Sequence, residues 1–268
     1  MIDIHHHCLP GIDDGPADWD EAISQCRMAE AEGIDTIIAT PHVRRGPWMN
    51  EDRRFLQKLT LELNQRLEGR PRVVLGCEYF FSHDILDVLD GEQGILPLAG
   101  SRYILVEFPS MSVPPRINEV LHEIILRGWI PVIAHPERNF VFQEKLGLLR
   151  HLIEQGVRLQ VTAGSIDGEF GAGSRKASIA MLDAEMVHFI ATDAHNASRR
   201  PPRVRKTRAT VEKRWGLDRE RALFEENPRA LLEQQPLPYE PDPVTVKQSV
   251  FPSIFDKLTR MVRRGSDE

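Results

Sequence analysis

Seven short runs of β-branched or apolar residues punctuate this chain, and almost every one ends in an imidazole or a carboxylate. The runs cover residues 2–4, 34–39, 73–76, 103–107, 130–134, 158–161 and 187–191. Between them lie stretches with helical spacing over 17–32, 51–67, 115–127, 144–155 and 175–184. In the first of these, Trp19, Ile23, Cys26 and Met28 gather near one side. Strand–helix alternation calls for parallel strands joined by crossover helices. The 268 residues suit one large domain of the length common among α/β barrels. Seven strands predict a closed, barrel-like sheet rather than an open one.

The strand ends carry the chemistry. Met1-Ile2-Asp3-Ile4 alternates as a strand does, so the following His5-His6-His7 is no tag appended to a fold. Residues two apart share a face, which sends His5 and His7 one way and His6 the other. His42 ends the second run in "IIATPH", Glu78 the third in "VVLGCE" and Glu107 the fourth in "YILVEF". His135 ends the fifth in "IPVIAH", and Asp193 and His195 end the last in "FIATDAH". In a parallel barrel these ends meet on one rim. Asp14, in the loop after the first strand, can reach the same rim. A lone histidine is more often structural than a ligand; the recurrence at strand after strand is what carries weight. His83, His122 and His151 read as surface or capping residues, and His188 should face away from Asp193.

Five histidines and four carboxylates exceed the needs of one ion. Nitrogen and oxygen ligation without thiolate favours Mn, Fe or Zn over a structural zinc. Clustered divalent ions about 3.5–4 Å apart acidify a bridging water and stabilise in-line displacement at phosphorus. Three such ions against four carboxylates leave a positive site that wants an anion. Arg138, in "HPER", and Arg200, in "HNASRRPP", offer planar forks matched to phosphate oxygens. Arg44 and Arg45, just after His42, either ring the entrance or are solvated surface charges, and the second reading is favoured.

A net charge of −6 argues against a general nucleic-acid binder. No signal-peptide pattern opens the chain and no apolar run suffices for a bilayer, so a cytoplasmic protein is expected. Cys8, Cys26 and Cys77 imply no disulfide framework and no Cys-x5-Arg phosphate loop, and read as core fillers. From residue 236 the chain turns proline-rich, which predicts a linker or extended tail. Behind it, Phe251, Ile254, Phe255, Leu258, Met261 and Val262 follow helical spacing beside Lys257, Arg260, Arg263 and Arg264. That basic amphipathic segment either packs on the barrel or attaches to an anionic membrane or a partner.

The motifs "DIHHH", "TPH", "HPER" and "TDAHN", in that order, resemble the polymerase-and-histidinol-phosphatase (PHP) superfamily. "MIDIHHHCLPGIDDGP", "TIIATPHVRRG", "GWIPVIAHPERN" and "HFIATDAHNASRRPP" look closer still to the bacterial protein-tyrosine phosphatases of capsule and exopolysaccharide loci, over roughly residues 1–235. The resemblance implies a distorted barrel of seven strands and three divalent ions, manganese foremost. One ion would sit on His5, His7, Glu78 and Asp193, a second on Glu78, Glu107 and His135, and a third on Asp14, His42 and His195. Arg138 and Arg200 match the family's phosphate-binding arginines. His6 departs from relatives that carry another residue between the two ligands. The reaction implied is direct hydrolysis of phosphotyrosine by a metal-bound hydroxide, without a phosphoenzyme. The usual substrate would be a membrane-associated bacterial tyrosine autokinase that governs polysaccharide synthesis, which gives the basic tail a purpose at the inner face of the membrane. Rival readings are a phosphatase for a small monoester such as histidinol phosphate, a PHP nuclease, and a binding module on an inactive barrel.

Overall fold

The structure is a computed structural model that describes residues 1–91 and 94–243. Among the described residues, nine strands form two parallel sheets. The smaller runs β1 (Ile2–His6), β2 (Thr36–Ala39), β4 (Arg72–Leu75), in the order β1-β2-β4. The larger runs β3 (His42–Val43), β5 (Glu78–Phe80), β6 (Tyr103–Glu107), β7 (Ile130–Ala134), β8 (Arg158–Thr162), β9 (Phe189–Ala191), in the order β3-β5-β6-β7-β8-β9. Seven expected strands become nine because two lines of chain are interrupted, at Thr40-Pro41 and Gly76-Cys77. Pairing runs on across the gap: the Gly76 N–H donates to Ala39 O at 2.8 Å and the Glu78 N–H to Pro41 O at 3.0 Å. The ring closes between the first and last strands, where Asp193 N–H donates to His5 O and His7 N–H to Ala194 O. At the lower end β4 and β6 do not pair. Leu98 of the 3₁₀ turn Leu98–Gly100 is buried there with the barrel interior, and this is the distortion of the barrel.

Period-two alternation sorts the strand residues into two cores. Ile38, Tyr103, Leu105, Val132, Ala134, Phe189 and Ala191 point inward, while Ile37, Ile104, Val106, Ile133 and Ile190 pack beneath the helices. Ala230 and Leu231, from the helix Asn227–Glu233, close the base of the interior together with Leu237. A fully buried Leu contributes roughly 1.5–3 kcal/mol relative to an exposed one.

The helix Trp19–Ala31 starts where Asp18 accepts from the Glu21 N–H, and Asp20 and Glu21 complement its dipole. Its buried stripe is Ala22, Gln25, Cys26 and Ala29, rotated from the expected one. Small residues let it approach the barrel, and Trp19 instead stacks on Arg66 of the neighbouring helix Arg53–Arg66. The expected helix over 144–155 begins at Leu146 and a separate turn, Phe140–Glu144, precedes it, capped by the Asn139 side chain. Cys8, Cys26 and Cys77 are buried free thiols.

The segment after 235 does not leave the barrel at once. Tyr239 exchanges hydrogen bonds with the Asn227 side chain at 2.7 and 3.0 Å, and Glu240 pairs with Arg158 at 2.7 Å. The amphipathic segment expected beyond Phe251 lies outside the described residues. No helix among the described residues is long and apolar enough to cross a membrane.

Candidate functional site

All nine residues singled out, eight at strand ends and Asp14 in the loop after the first, converge at one end of the barrel. They fall into four overlapping groups whose donor atoms lie within 4.8 Å of one another: His7, Asp14, His42, His195; His5, His7, Asp193; His5, Glu78, His135; and His42, Glu78, Glu107. Strand parity brings several of them in. Glu107 follows the inward residues Tyr103 and Leu105 on β6, and Asp193 follows Phe189 and Ala191.

Two residues break parity and are re-aimed by the backbone. Ile4 already faces the interior, so a regular strand would turn His5 outward. The β1–β2 register slips between Asp3 and His6, where three steps on β1 oppose two on β2, and this bulge brings His5 inward as well. His135 follows inward-facing Ala134, and its backbone enters the left-handed region at φ 32°, which swings the ring toward Glu78. Asp193 is left-handed too, at φ 51°. Such conformations cost of order 1–3 kcal/mol each for non-glycine residues and gather at functional sites.

Glu78 is the hub. Its two oxygens lie 2.8 Å from His42 Nδ1, 2.8 Å from His135 Nε2, 3.3 Å from His5 Nε2 and 3.4 Å from His7 Nε2. Asp193 Oδ1 lies 3.3 Å from His5 Nε2 and 3.6 Å from His7 Nε2. Asp14 Oδ1 stands 3.1 Å from His42 Nε2 and 3.3 Å from His195 Nε2. Glu107 reaches His42 at 3.8 Å and His135 at 4.0 Å. The floor is closed to solvent, with Glu78 and His5 fully buried, and Asp14 marks the open mouth at 36% side-chain exposure.

A ring of outer partners fixes the imidazoles. His5 Nδ1 faces Gln160 Oε1 at 2.8 Å, His7 Nδ1 faces Asp13 Oδ2 at 2.8 Å, and His195 Nδ1 faces Asp193 O at 3.0 Å. Each partner is an acceptor, so Nδ1 carries the hydrogen and Nε2 turns to the centre, the arrangement common to metal-binding histidines. Asp13 also accepts from the His42 and Gly15 N–H groups, which ties the first loop to β3. His6 points away, as expected: it pairs with Asp3 at 3.0 Å and with Gln25 of the first helix at 3.0 Å. His188 is buried elsewhere, with Nδ1 accepting from the Leu159 N–H, and His83, His122 and His151 are exposed.

The electrostatics are those of a crowded pocket. Burial works to raise the Glu78 carboxyl, but His5 and His42 hold it well below the usual range. Burial works to raise Asp193 as well, and Arg200 and Arg138 hold it low. Burial and the neighbouring Glu78 push Glu107 up to about 8. Burial would lower His5 and His42, yet the facing carboxylates push them up to about 9 and about 10. Burial, with Arg138 near one and His7 near the other, lowers His135 and His195 to about 4.

Several buried atoms of this cluster sit close to an opposite group yet make no hydrogen bond of acceptable geometry: His42 Nδ1, Glu78 Oε2, Asp193 Oδ1 and His195 Nε2. Orphaned buried acceptors are costly. A divalent cation is the partner that carboxylate oxygens and imidazole lone pairs would share, so these residues fit a metal centre.

Arg138 and Arg200 stand together over one edge. Their forks meet at Asp193 Oδ2, 2.5 Å from Arg138 Nη1 and 2.6 Å from Arg200 Nη2. Arg138 also donates to Thr162 Oγ1 at 2.7 Å. Arg44 does pair at the surface, with Glu51 and Asp84. Arg45 corrects the expectation of a solvated charge: its Nε lies 2.7 Å from Glu107 Oε2 and its Nη1 lies 3.1 Å from His42 Nε2. Asp13, Gln160 and Phe170, whose ring lies 3.7 Å from the Arg138 guanidinium carbon, are residues that the sequence reading missed. Asp13 had a signal, the acidic pair Asp13-Asp14; the others become visible only when the fold places them.

Comparison with known proteins agrees with this geometry. Residues 1–233 match the family described as capsular polysaccharide synthesis, CpsB/CapC. The chain is 36% identical over 253 residues to the tyrosine-protein phosphatase YwqE of Bacillus subtilis, covering 94% of this chain and 99% of that one. It is 28% identical over 242 residues to the tyrosine-protein phosphatase CpsB of Streptococcus pneumoniae, covering 88% and 99% of the two chains. A solved structure from a study of YwqE and CpsB, described as unique metal-dependent tyrosine phosphatases, superposes with a TM-score of 0.86 at 38% identity, over 92% of this chain and all of that one. The lactonase Lmo2620 of Listeria monocytogenes, at 10% identity and a TM-score of 0.52, shares the fold alone. With nearly its whole length matched, this chain belongs to the CpsB/CapC capsular polysaccharide synthesis family.

Proposed function

We propose that this chain is a metal-dependent protein-tyrosine phosphatase that serves capsule or exopolysaccharide synthesis. The observation that carries the reading is the meeting of nine imidazole and carboxylate groups with two arginine forks at one mouth. The ligands would be His5, His7, Asp14, His42, Glu78, Glu107, His135, Asp193 and His195. They would hold about three divalent ions, foremost manganese, with iron and zinc accepted by the same donor types. Such ions, when bound, acidify water and neutralise charge on phosphoryl oxygens.

The remaining steps belong to the chain itself. Arg138 and Arg200 bind the phosphate and stabilise its growing charge, because a guanidinium edge presents two parallel donors to two oxygens. Gln160, Asp13 and the Asp193 carbonyl hold three imidazoles with Nε2 toward the centre. The buried floor excludes bulk water, which strengthens each of these interactions. The leaving phenol has a pKa of about 10, low enough that departure needs less protonation than an alkoxide would. The substrate would be the phosphotyrosine segment of a membrane-associated tyrosine kinase, with the basic tail beyond residue 247 drawing the enzyme to an anionic membrane surface.

Turnover on a phosphotyrosine peptide compared with histidinol phosphate tests the substrate class. The proposal expects the peptide to be strongly preferred by kcat/KM. Preference for the small monoester would replace it with a metabolite phosphatase. Truncation after Lys247 is expected to weaken binding to anionic vesicles and spare hydrolysis of a small aryl phosphate; unchanged vesicle binding would remove the role given to the tail.

A further inference from the structure

Phe170 lies between two candidate phosphate ligands that are far apart in sequence. The Arg138 guanidinium carbon is 3.7 Å from its ring centroid and that of Arg200 is 5.6 Å away. We propose that Phe170 is a positioning residue that holds the two guanidinium forks by their faces, so that their N–H edges stay free for the substrate phosphate. The proposal rests on the phosphatase reading above and adds the device that orients its arginines.

The physical case begins with what a face contact leaves alone. A guanidinium has five N–H donors, all in its plane. A carboxylate that grips it consumes donors, whereas an aromatic ring attracts the flat face through its quadrupole and consumes none. Arg138 gives one edge to Asp193 and Thr162, and Arg200 gives Nη2 to Asp193. The Nε atoms of both arginines are buried without a hydrogen-bond partner. The donors left for a ligand are the remaining Nη hydrogens, on side chains 17% and 28% exposed, while the ring restricts their tilt.

The chain around Phe170 is shaped to present the ring. It precedes the helix Gly171–Asp183, and Gly168 and Gly171 flank it in the left-handed region at φ 93° and 86°. Gly164 leaves the space that the ring fills. A Cβ there would meet Phe170 Cε2 at 3.0 Å and Glu169 Oε2 at 2.7 Å. Gly164→Ala thus crowds Glu169 and the ring, while none of the atoms it meets most closely belongs to a candidate ligand or arginine.

The test compares Phe170→Ala, Phe170→Leu, Phe170→Tyr and Gly164→Ala in the manganese-loaded full chain. It reads kcat and KM on a phosphotyrosine peptide, the inhibition constant of inorganic phosphate, and bound metal. Face contacts of this kind correspond to about 2- to 30-fold in binding. Phe170→Ala and Phe170→Leu are expected to raise KM and the phosphate inhibition constant within that range, at unchanged metal content. Phe170→Tyr, which keeps the aromatic face, is expected to restore both, and Gly164→Ala to shift them in the same direction as Phe170→Leu. Equal phosphate inhibition in Phe170→Leu and Phe170→Tyr would overturn the proposal, because the ring would then act by volume alone. Arg138→Ala in parallel separates the two levels: if it leaves phosphate inhibition unchanged, the phosphate role of the arginine itself fails, whatever Phe170 does.

Discussion

Loading the site with Mn²⁺ at neutral pH should expel protons, and the structure says how many. Burial lowers His5 and His42, but the facing carboxylates together outweigh it, Glu78 and Asp193 at His5 and Glu78 and Asp14 at His42, so they rest at about 9 and about 10. Glu107, raised by burial and by Glu78, rests at about 8. All three values lie above 7, so all three groups carry a proton in the metal-free protein. His135 and His195, at about 4, are already neutral and release nothing. Ligands bind in their deprotonated forms, so filling the site displaces about three protons near pH 7. Each proton makes the apparent affinity about tenfold weaker per unit fall in pH, or about 1.4 kcal/mol. The overall constant for filling the site should therefore drop by roughly three orders of magnitude from pH 7 to pH 6, about tenfold per ion if three ions bind, and level off only as pH rises through 8 to 10. Calorimetric titration of the metal-free protein at pH 7, in buffers of different ionisation enthalpy, counts the protons from the slope. A slope near zero, with equal affinity at pH 6 and pH 8, would refute the reasoning.

Three further outcomes follow from named contacts. Glu78→Gln keeps the shape of the hub but removes the charge shared by four imidazoles, and should lower kcat by at least about 10²-fold with loss of bound metal, read by metal analysis beside turnover. Asp13→Asn touches no candidate ion directly; through His7 and the His42 backbone it should weaken metal affinity roughly 10- to 100-fold, measured by competition with a chelator. Leu231→Ala opens a cavity at the barrel base and should cost roughly 2–5 kcal/mol in denaturant unfolding, while activity per folded, metal-loaded molecule stays the same.

Much of this site could be read from the chain because parallel strands convert sequence position into spatial position. A residue at a strand's C-terminal end stands on the rim, so His42, Glu78 and Glu107 could be gathered without coordinates. Strand alternation gives only part of the reason that His5 turns inward. Regular alternation puts His5 and His7 on one face, but the register slip after Asp3 is what turns that face into the barrel past Ile4. A bulge of one residue leaves no composition signal. His135 likewise owes its direction to a left-handed backbone that its residue type does not announce. Gln160 and Phe170 were missed because an amide or a phenyl ring gains a role only from its neighbour, here an imidazole 2.8 Å away and a guanidinium 3.7 Å away. Arg45 looked like a surface charge because the turn that folds it back onto Glu107, held by the Arg45–Trp48 bridge, is set by local backbone pairing. The packing of Leu237, Tyr239 and Glu240 was hidden by their proline-rich setting, which resembles a linker until Asn227 and Arg158 supply partners.

The central claim is that nine side chains from six of the seven lines of a parallel barrel grip divalent ions that make phosphotyrosine hydrolysis possible. Metal content per chain, followed through chelation and the return of Mn²⁺ alongside phosphotyrosine-peptide turnover, tests it most directly. The account predicts about three ions per chain, activity abolished on their removal, and recovery in step with reloading. A fully chelated protein that still cleaves the peptide, or a fully loaded one that leaves it intact, would contradict it.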